Sequence, residues 1–340
     1  MIPVGIVGYG YWGPNLARCT AEADGCTLAA IADASAAARA RAVKRHNAAV
    51  LDDWRDMIAD PNIAAIMIAT PARTHFEIAL AALHAGKHVL VEKPMTETST
   101  EALVLIEEAA KRNLTLMVDH TFVYTGAVRK IREMIDEGLV GDVFYYDSTR
   151  VNLGLFQHDV NVIWDLAVHD LAILDYLLDC QPVAVSANGA GHLGRLENMA
   201  QITIYFAGGT TAHLNVNWLA PVKIRQTLIG GSRRMIVYDD LQPSEKIKVY
   251  DRGVDVVGSQ EELYRLLVSY RTGDMWAPQI SVKEALMTEV EHFLDCITTQ
   301  TAPLTSGGSG LRVVEMLENA SLSLQQRGHP IEFTPLRRAS

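Results

Sequence analysis

Cysteine is scarce in this 340-residue sequence, and its four cysteines stand far apart. Cys19, Cys26, Cys180 and Cys296 form no C-x-x-C pair, so they predict neither a zinc site nor a disulfide framework. We therefore expect no bound metal. A low cysteine content of this kind is typical of the reducing cytoplasm, which is the location we expect.

Long apolar runs and an excess of positive charge are also missing. No run of about 20 apolar residues is present, which excludes a membrane-spanning helix, and the strand-like start at residues 2–7 lacks the pattern of an export signal. Lysine and arginine number 30 against 40 aspartates and glutamates, a net charge of −10. Nucleic acids and anionic membranes select basic surfaces, so we expect neither as a partner.

Length and composition predict a folded chain of two domains. The chain exceeds the usual size of one domain, and its 49% hydrophobic and 21% charged residues are typical of globular proteins. In the first third, short apolar runs alternate with helical patterns, which indicates a parallel, doubly wound α/β sheet. The expected strands are residues 4–7, 28–32, 63–69, 88–91 and 114–118. The expected helices are residues 15–23, 34–46, 74–85 and 98–112.

After about residue 120 the rhythm changes to a succession of strands. Such a succession favours an α+β domain with a mixed, largely antiparallel sheet. We place the domain boundary near residue 121, which gives a first domain at 1–121 and a second at 122–340. The expected strands are residues 143–151, 183–188, 199–206, 211–218, 224–229, 235–238 and 247–250. The expected helices are residues 127–137, 164–178, 282–298 and 311–326.

A glycine motif follows the first predicted strand. Gly8, Gly10 and Gly13 form G-x-G-x-x-G between this strand and a helix. In a dinucleotide site the first glycine permits a tight turn, the second lets the backbone approach the pyrophosphate, and the third lets helix and strand pack closely. A glycine-rich turn without a ligand is the alternative for the motif alone. Asp33 favours the dinucleotide, because it follows Gly13 by 20 residues and ends the second strand, where a carboxylate meets the ribose hydroxyls.

Asp33 also favours NAD over NADP. A carboxylate repels the 2′-phosphate of NADP, and no arginine directly follows Asp33. Arg39 and Arg41 lie on the next predicted helix, either on a solvated face or within reach of such a phosphate. We therefore expect NAD, with NADP as the alternative.

Three further residues have the chemistry for hydride transfer. Lys93 follows the strand at 88–91, and ligands of doubly wound sheets bind at the carboxyl ends of strands. Asp165 and His169 are four residues apart on a predicted helix and share one face. A surface lysine and a structural Asp–His hydrogen bond are the alternatives. As a catalytic set, His169 takes the hydroxyl proton, Asp165 orients the imidazole, and Lys93 polarises the substrate oxygen.

These motifs resemble those of the Gfo/Idh/MocA family of nicotinamide-dependent oxidoreductases. The resemblance rests on the glycine motif, on Glu92-Lys93-Pro94, on Asp165-x-x-x-His169, and on Ala69-Thr70-Pro71 followed by Thr74-His75. It covers almost the whole chain and implies a Rossmann domain followed by a domain with an open-faced sheet for substrate binding and oligomerisation. The cofactor contacts expected from these motifs are Gly8, Gly10, Tyr11, Trp12, Gly13, Asp33, Ala69, Thr70, Pro71, His75, Glu92 and Lys93.

The same resemblance implies catalytic roles for Lys93, Asp165 and His169, and a homodimer or homotetramer. It implies substrates among sugars, inositols and sugar nucleotides. The later segments are similar to members of amino-sugar and polysaccharide pathways, which implies oxidation at C3 of a nucleotide sugar such as UDP-N-acetylglucosamine or its uronate. The alternatives are a free-sugar or inositol dehydrogenase, an NAD-dependent glycoside hydrolase with no net redox change, and a binding protein with an inactive site. One departure is visible, because residues 161–164 stand where many members have glycines.

Other polar residues are candidates for the substrate site, alongside Asp165 and His169. His120 follows the strand at 114–118, with a solvent-facing strand end as its alternative. Arg150, Asn152 and His158 precede the predicted catalytic helix, with a polar loop as their alternative. Polar residues 213, 215 and 217 alternate with apolar ones and therefore share a sheet face, which we expect to meet solvent or another subunit.

Overall fold

The computed structural model describes residues 1–154, 160–256 and 268–333, and the chain divides into two compact units. Within these residues, the first unit contains Met1–Thr125 and Val282–Glu315, and the second contains Gly126–Ser281 and Met316–Ser340. The division differs from the expected 1–121 and 122–340 in two respects, the first being a boundary that follows Thr125. The second is that Val282–Glu315 belongs to the first unit, although it lies far from that unit in the sequence.

Polar contacts hold Val282–Glu315 in the first unit. Thr305 Oγ1 donates to the carbonyl of Val118 over 2.7 Å, and the N–H of Val118 donates to the carbonyl of Thr305 over 2.8 Å. The hydroxyls of Thr305 and Tyr124 lie 3.1 Å apart. These partners are more than 180 residues apart in the sequence, so local periodicity does not reveal them.

Parallel strands form the sheet of the first unit. Among the described residues they are β1 (Ile2–Val7), β2 (Cys26–Ala32), β3 (Ala49–Leu51), β4 (Ala65–Ile68), β5 (His88–Glu92) and β6 (Leu116–Asp119). Their order, β3-β2-β1-β4-β5-β6, is that of a Rossmann domain and confirms the predicted class. Helices also belong to this unit: α1 (Gly13–Glu22), α2 (Ala36–Arg45), α3 (Trp54–Ala59), α4 (His75–His84) and α5 (Ser99–Lys111). The pattern did not predict β3 and α3, because both are short.

The strands of the first unit are mainly apolar. Ile66, Ile68, Val89 and Val91 are completely buried, as expected for parallel strands that are covered on both faces. Polar side chains cap the N-termini of several of the helices. Ser35 Oγ accepts from the N–H of Ala38 at the start of α2 over 3.4 Å. This packing fixes the carboxyl ends of the strands, where the glycine motif and Asp33 lie.

The second unit contains a mixed, largely antiparallel sheet, as predicted. In the described part of the chain its strands are β7 (Val143–Leu153), β8 (Pro182–Ala190), β9 (Met199–Phe206), β10 (Thr211–Asn217), β11 (Leu219–Gly231), β12 (Met235–Asp239), β13 (Ile247–Val256), β14 (Val268–Trp276) and β15 (Ile331–Glu332). Their order is β14-β13-β12-β11-β7-β10-β9-β8-β15, in which β7 and β10 are parallel. The other α-helices among the described residues are α6 (Gly126–Asp136), α7 (Val168–Leu177), α8 (Ala285–Thr299) and α9 (Gly307–Gln325).

The two faces of the second sheet differ in polarity. On β10, Ala212, Leu214 and Val216 are buried, whereas His213 is exposed on the opposite face. This confirms the predicted alternation along residues 211–218. No helix in the described ranges is long and apolar enough to cross a membrane.

Candidate active site

The glycine motif forms the turn between β1 and α1. Gly8 has a φ of +95°, and a Cβ at Gly8 lies only 2.6 Å from the carbonyl oxygen of Ala69. A Cβ at Gly13 lies 2.1 Å from the carbonyl oxygen of Gly8. Gly10 differs from both, because a Cβ there meets nothing within 4 Å. The chain itself therefore requires Gly8 and Gly13, whereas Gly10 leaves open space for a ligand.

A cavity of about 310 Å³ lies at the carboxyl ends of β1, β2 and β4. It brings together six of the predicted cofactor residues: Gly8, Gly10, Asp33, Ala69, Thr70 and Pro71. Asp52 and Trp54 also line it, and they follow the unpredicted strand β3. Because the cavity includes the open space at Gly10 beside the N-terminal end of α1, it suits the pyrophosphate of a dinucleotide.

The Asp33 carboxylate is held rigidly at the edge of this cavity. Its Oδ2 accepts from the N–H of Tyr9 over 2.6 Å, and its Oδ1 accepts from the N–H of Ser35 over 2.7 Å. Arg39 Nη1 donates to the carbonyl oxygen of Asp33 over 2.8 Å, and Arg41 Nη2 donates to that of Tyr9 over 3.0 Å. The fixed carboxylate can accept hydrogen bonds from ribose hydroxyls, which fits NAD.

Tyr11 and Trp12 lie in the same turn but point in different directions. The Tyr11 side chain is 92% exposed. Trp12 Nε1 donates to Oδ2 of Asp119 over 2.7 Å, and so its ring is bound to the end of β6. Neither residue is among those that line the cavity.

His75 is buried and links two loops. Its Nδ1 lies 2.8 Å from the carbonyl oxygen of Pro94, and its Nε2 lies 2.8 Å from that of Thr70. Burial lowers the pKa of His75, which favours a neutral ring that donates to one of these oxygens. His75 therefore connects the cavity loop at Thr70 to the Lys93-Pro94 segment, and it is not among the cavity-lining residues.

Ionisable groups cluster at the carboxyl ends of β5 and β6. Burial, and then the neighbouring Asp119 carboxylate, raise the pKa of Glu92 and of Glu289 on α8 well above the usual range. His120 is buried, and its ring nitrogens have no hydrogen-bond partner among the described residues. Burial, and then the charge of Lys93, lower the pKa of His120 to about 3. This edge of the sheet therefore brings a buried imidazole close to buried carboxyl groups and to Lys93.

In the second unit, Asp165 lies on a π-helical turn, Ile163–Ala167, and His169 follows on α7. The sequence predicted one regular helix at 164–178. Asn161 precedes this turn, and its Oδ1 accepts from the N–H groups of Ile163 and Trp164 over 3.1 and 3.3 Å. Asn161 thus stands in the segment that departs from the glycine pattern, and it organises the turn that carries Asp165. Turns of this kind are frequent at functional sites.

Asp165 also has a partner that the sequence analysis missed. Trp218 Nε1 donates to its Oδ2 over 3.0 Å. The sequence offers little signal for this contact, because Trp218 stands 53 residues away at the end of an alternating strand.

Arg150 occupies a different position from the one expected of a substrate contact. Its Nε donates to Oδ2 of Asp170 over 2.8 Å, and its Nη2 donates to Oδ1 over 3.0 Å. The two side chains are only 6% and 4% exposed. Asn152 is half-buried on β7, and His158 lies outside the described residues. Arg150 therefore joins β7 to α7 in a buried ion pair.

Comparison with known proteins agrees with this arrangement. A family model described as "Oxidoreductase family, NAD-binding Rossmann fold" matches residues 2–120, and the "GFO/IDH/MocA C-terminal domain" model matches residues 128–237. The chain is 28% identical to UDP-N-acetylglucosamine 3-dehydrogenase of Acidithiobacillus ferrooxidans, over 91% of this chain and 93% of that enzyme. It is 27% identical to the NADP⁺-dependent scyllo-inositol 2-dehydrogenase of Bacillus subtilis, over 85% of each.

Solved structures also show the similarity to UDP-N-acetylglucosamine 3-dehydrogenase. The structure of the Acidithiobacillus ferrooxidans enzyme matches with a TM-score of 0.81 at 26% identity, over 96% of this chain and 98% of that chain. Fold and cofactor cavity together define an NAD-binding oxidoreductase with a Rossmann domain. The chain belongs to the Gfo/Idh/MocA family, which confirms the resemblance, the cofactor and the dehydrogenase class predicted from the sequence.

Proposed function

We propose that the protein transfers a hydride between a sugar hydroxyl and NAD, and that the sugar is nucleotide-linked, of the UDP-N-acetylglucosamine type, with reaction at C3. The cavity that joins Gly10 and Asp33 carries the proposal of a nicotinamide oxidoreductase. The similarity to UDP-N-acetylglucosamine 3-dehydrogenase, which extends over 91% of the chain, supports the choice of substrate.

In the proposed reaction, Lys93, Asp165 and His169 act on one hydroxyl group. NAD held beside Gly10 and Asp33 would supply the acceptor for the hydride that leaves C3. His169 accepts the hydroxyl proton, so that C3 becomes a ketone, and Asp165 stabilises the resulting imidazolium. The Lys93 ammonium polarises the oxygen. His120 and Asn152 remain candidates for contacts with the sugar.

We also propose that the second unit forms a homodimer or homotetramer through the sheet face that carries His213. Leu228 and Ile224 on β11 and Tyr205 on β9 are partly exposed apolar residues. Leu228 pairs with Asp147, which pairs with His213, so these side chains lie on neighbouring strands of one face. Leu228→Lys is expected to lower the mass seen by sedimentation, whereas an unchanged mass contradicts this interface.

A substrate panel tests the proposed activity. Nucleotide sugars, free sugars and inositols are each supplied with NAD or NADP, and reduced nicotinamide is followed by absorbance. Turnover is expected with a UDP-linked amino sugar and NAD. Lys93→Met and His169→Ala are expected to lose turnover, and His169→Ala is expected to bind NAD normally. Full activity in both variants contradicts the proposed catalytic set.

An inositol dehydrogenase is a second candidate, because the scyllo-inositol 2-dehydrogenase of Bacillus subtilis is similar over 85% of the chain. The same panel separates the two, since turnover on inositols alone excludes the nucleotide sugar. Sugar release without net NADH identifies the glycoside hydrolase alternative.

A further inference from the structure

We propose that Trp218 is a positioning residue, whose indole N–H fixes the carboxylate of Asp165 for its role beside His169. This inference rests on the proposed function, because it assigns to Asp165 the task of orienting a catalytic imidazole. Trp218 lies at the junction of β10 and β11 and acts only through Asp165.

The contact between the two side chains has the geometry of a charge-assisted hydrogen bond. Trp218 Nε1 lies 3.0 Å from Asp165 Oδ2, and the tryptophan side chain is 1% exposed. A buried indole N–H normally requires an acceptor, and a carboxylate is the strongest one available in proteins. One oxygen of Asp165 is therefore committed to Trp218, which restricts rotation of the carboxylate about its side chain.

The consecutive residues Glu197 and Asn198 accept backbone hydrogen bonds from the turn that carries Asp165 and from Trp218. The N–H of Val162, at the start of the Asp165 turn, donates to the carbonyl of Glu197 over 3.0 Å. The N–H of Trp218 donates to the carbonyl of Asn198 over 2.9 Å. Because Glu197 and Asn198 are adjacent in the chain, the turn and the tryptophan are fixed to the same short segment.

Side chains reinforce this scaffold. Asn161 Nδ2 donates to Oε2 of Glu197 over 3.1 Å. Asn198 is completely buried, and its Nδ2 donates to the carbonyl oxygen of Leu193 over 3.0 Å. The segment is thus itself rigidly held, and a group that supports a catalytic carboxylate is effective only when it is held in this way.

A matched pair of variants tests the role of Trp218. Trp218→Phe removes the N–H that binds Asp165. Trp164→Phe removes an equivalent N–H from the same turn, since Trp164 Nε1 donates to Oγ of Ser321 over 2.9 Å and not to Asp165. We expect Trp218→Phe to lower kcat roughly 10- to 100-fold, the change expected on loss of a hydrogen bond to a charged group. We expect an unchanged KM for NAD, and near-normal kcat for Trp164→Phe.

A double-mutant cycle distinguishes positioning from a general structural effect. If Trp218 acts through Asp165, then Trp218→Phe causes no further loss of kcat in an Asp165→Asn background. An equal loss in both backgrounds, or equal losses in the two tryptophan variants, overturns the inference. Site-specific replacement of Trp218 by 3-benzothienylalanine, which keeps the shape and lacks the N–H, gives the same test if Trp218→Phe fails to fold.

The failure of the proposed function has a different signature. In that case the wild-type protein has no turnover on any member of the sugar and inositol panel. The Asp165→Asn substitution then has no kcat to lower. Failure of the inference alone leaves wild-type turnover intact and Trp218→Phe as active as Trp164→Phe.

Discussion

Trp12 Nε1 donates a hydrogen bond to Oδ2 of Asp119 over 2.7 Å, and this bond ties the glycine-rich turn to the carboxyl end of β6. Asp119 is buried and also accepts from Thr121 Oγ1 over 2.5 Å. The turn is therefore held from two sides, by close backbone packing at Gly8 and Gly13 and by the indole of Trp12. This arrangement fixes the backbone of the turn on both sides of Gly10, where a Cβ meets nothing within 4 Å.

Alanine substitutions at Gly10 and Gly13 are expected to have different effects on stability and on NAD binding. Gly13→Ala places a Cβ against the carbonyl of Gly8, so we expect it to lower the free energy of unfolding by about 1–3 kcal/mol. Gly10→Ala points its methyl group into open space and is expected to leave the stability of the free protein unchanged while weakening NAD binding. Thermal unfolding with and without NAD measures both effects. Equal destabilisation of the free protein by both variants contradicts this assignment.

The buried pair Arg150–Asp170 is expected to be important for stability. Asp170→Asn leaves a buried guanidinium without its carboxylate, so we expect a loss of about 3–5 kcal/mol in urea unfolding. The double variant Arg150→Met/Asp170→Leu is expected to recover much of this loss, because it buries no charge. The exposed pair Arg55–Glu77 is the control, and Glu77→Gln is expected to cost about 1 kcal/mol or less. An Asp170→Asn variant as stable as Glu77→Gln contradicts the account.

Glu289 predicts a pH dependence of stability with a definite sign. Burial, and then the Asp119 carboxylate, raise its pKa in the folded state, so the folded protein holds a proton that the unfolded chain loses above about pH 4.3. This contribution is complete at lower pH and is lost as the pH rises towards the folded-state pKa. Glu289→Gln mimics the protonated acid, so we expect its stability relative to wild type to increase between pH 5 and pH 8. The slope is at most about 1.4 kcal/mol per pH unit.

Urea unfolding at several pH values measures this difference. Glu97→Gln is the control, because Glu97 is exposed and the substitution removes the same kind of carboxyl group. A Glu289→Gln curve parallel to wild type shows that the Glu289 carboxyl is not held in its protonated form.

The sequence predicted those parts of the fold and site that depend on short-range constraints. The glycine turn, Asp33 and the Ala69–Thr70–Pro71 segment line one cavity, because each is fixed by its place at the end of an apolar strand. The strands of the second sheet follow the alternation of buried and exposed residues. The predicted strands at 199–206 and 211–218 correspond to β9 and β10, which pair antiparallel.

The remaining features depend on partners that lie far away in the chain. Arg150 was a candidate for the substrate site or a polar loop, and its buried ion pair with Asp170 joins it to a different element. The π-helical turn at Asp165 depends on the side chain of Asn161, which propensity alone does not reveal. His75 belongs to a recognisable motif, yet its contacts with Thr70 and Pro94 emerge only in three dimensions.

The most direct test of the central claim follows a deuterium atom. UDP-N-acetylglucosamine carrying deuterium at C3 is incubated with the protein and NAD, and the nicotinamide product is analysed by mass spectrometry. The account predicts that the deuterium appears on the nicotinamide ring in amounts equal to the ketone formed, and that Lys93→Met and His169→Ala abolish the transfer. The account is contradicted if deuterium stays at C3 while NAD is reduced. It is also contradicted if both variants transfer as much deuterium as the wild-type protein.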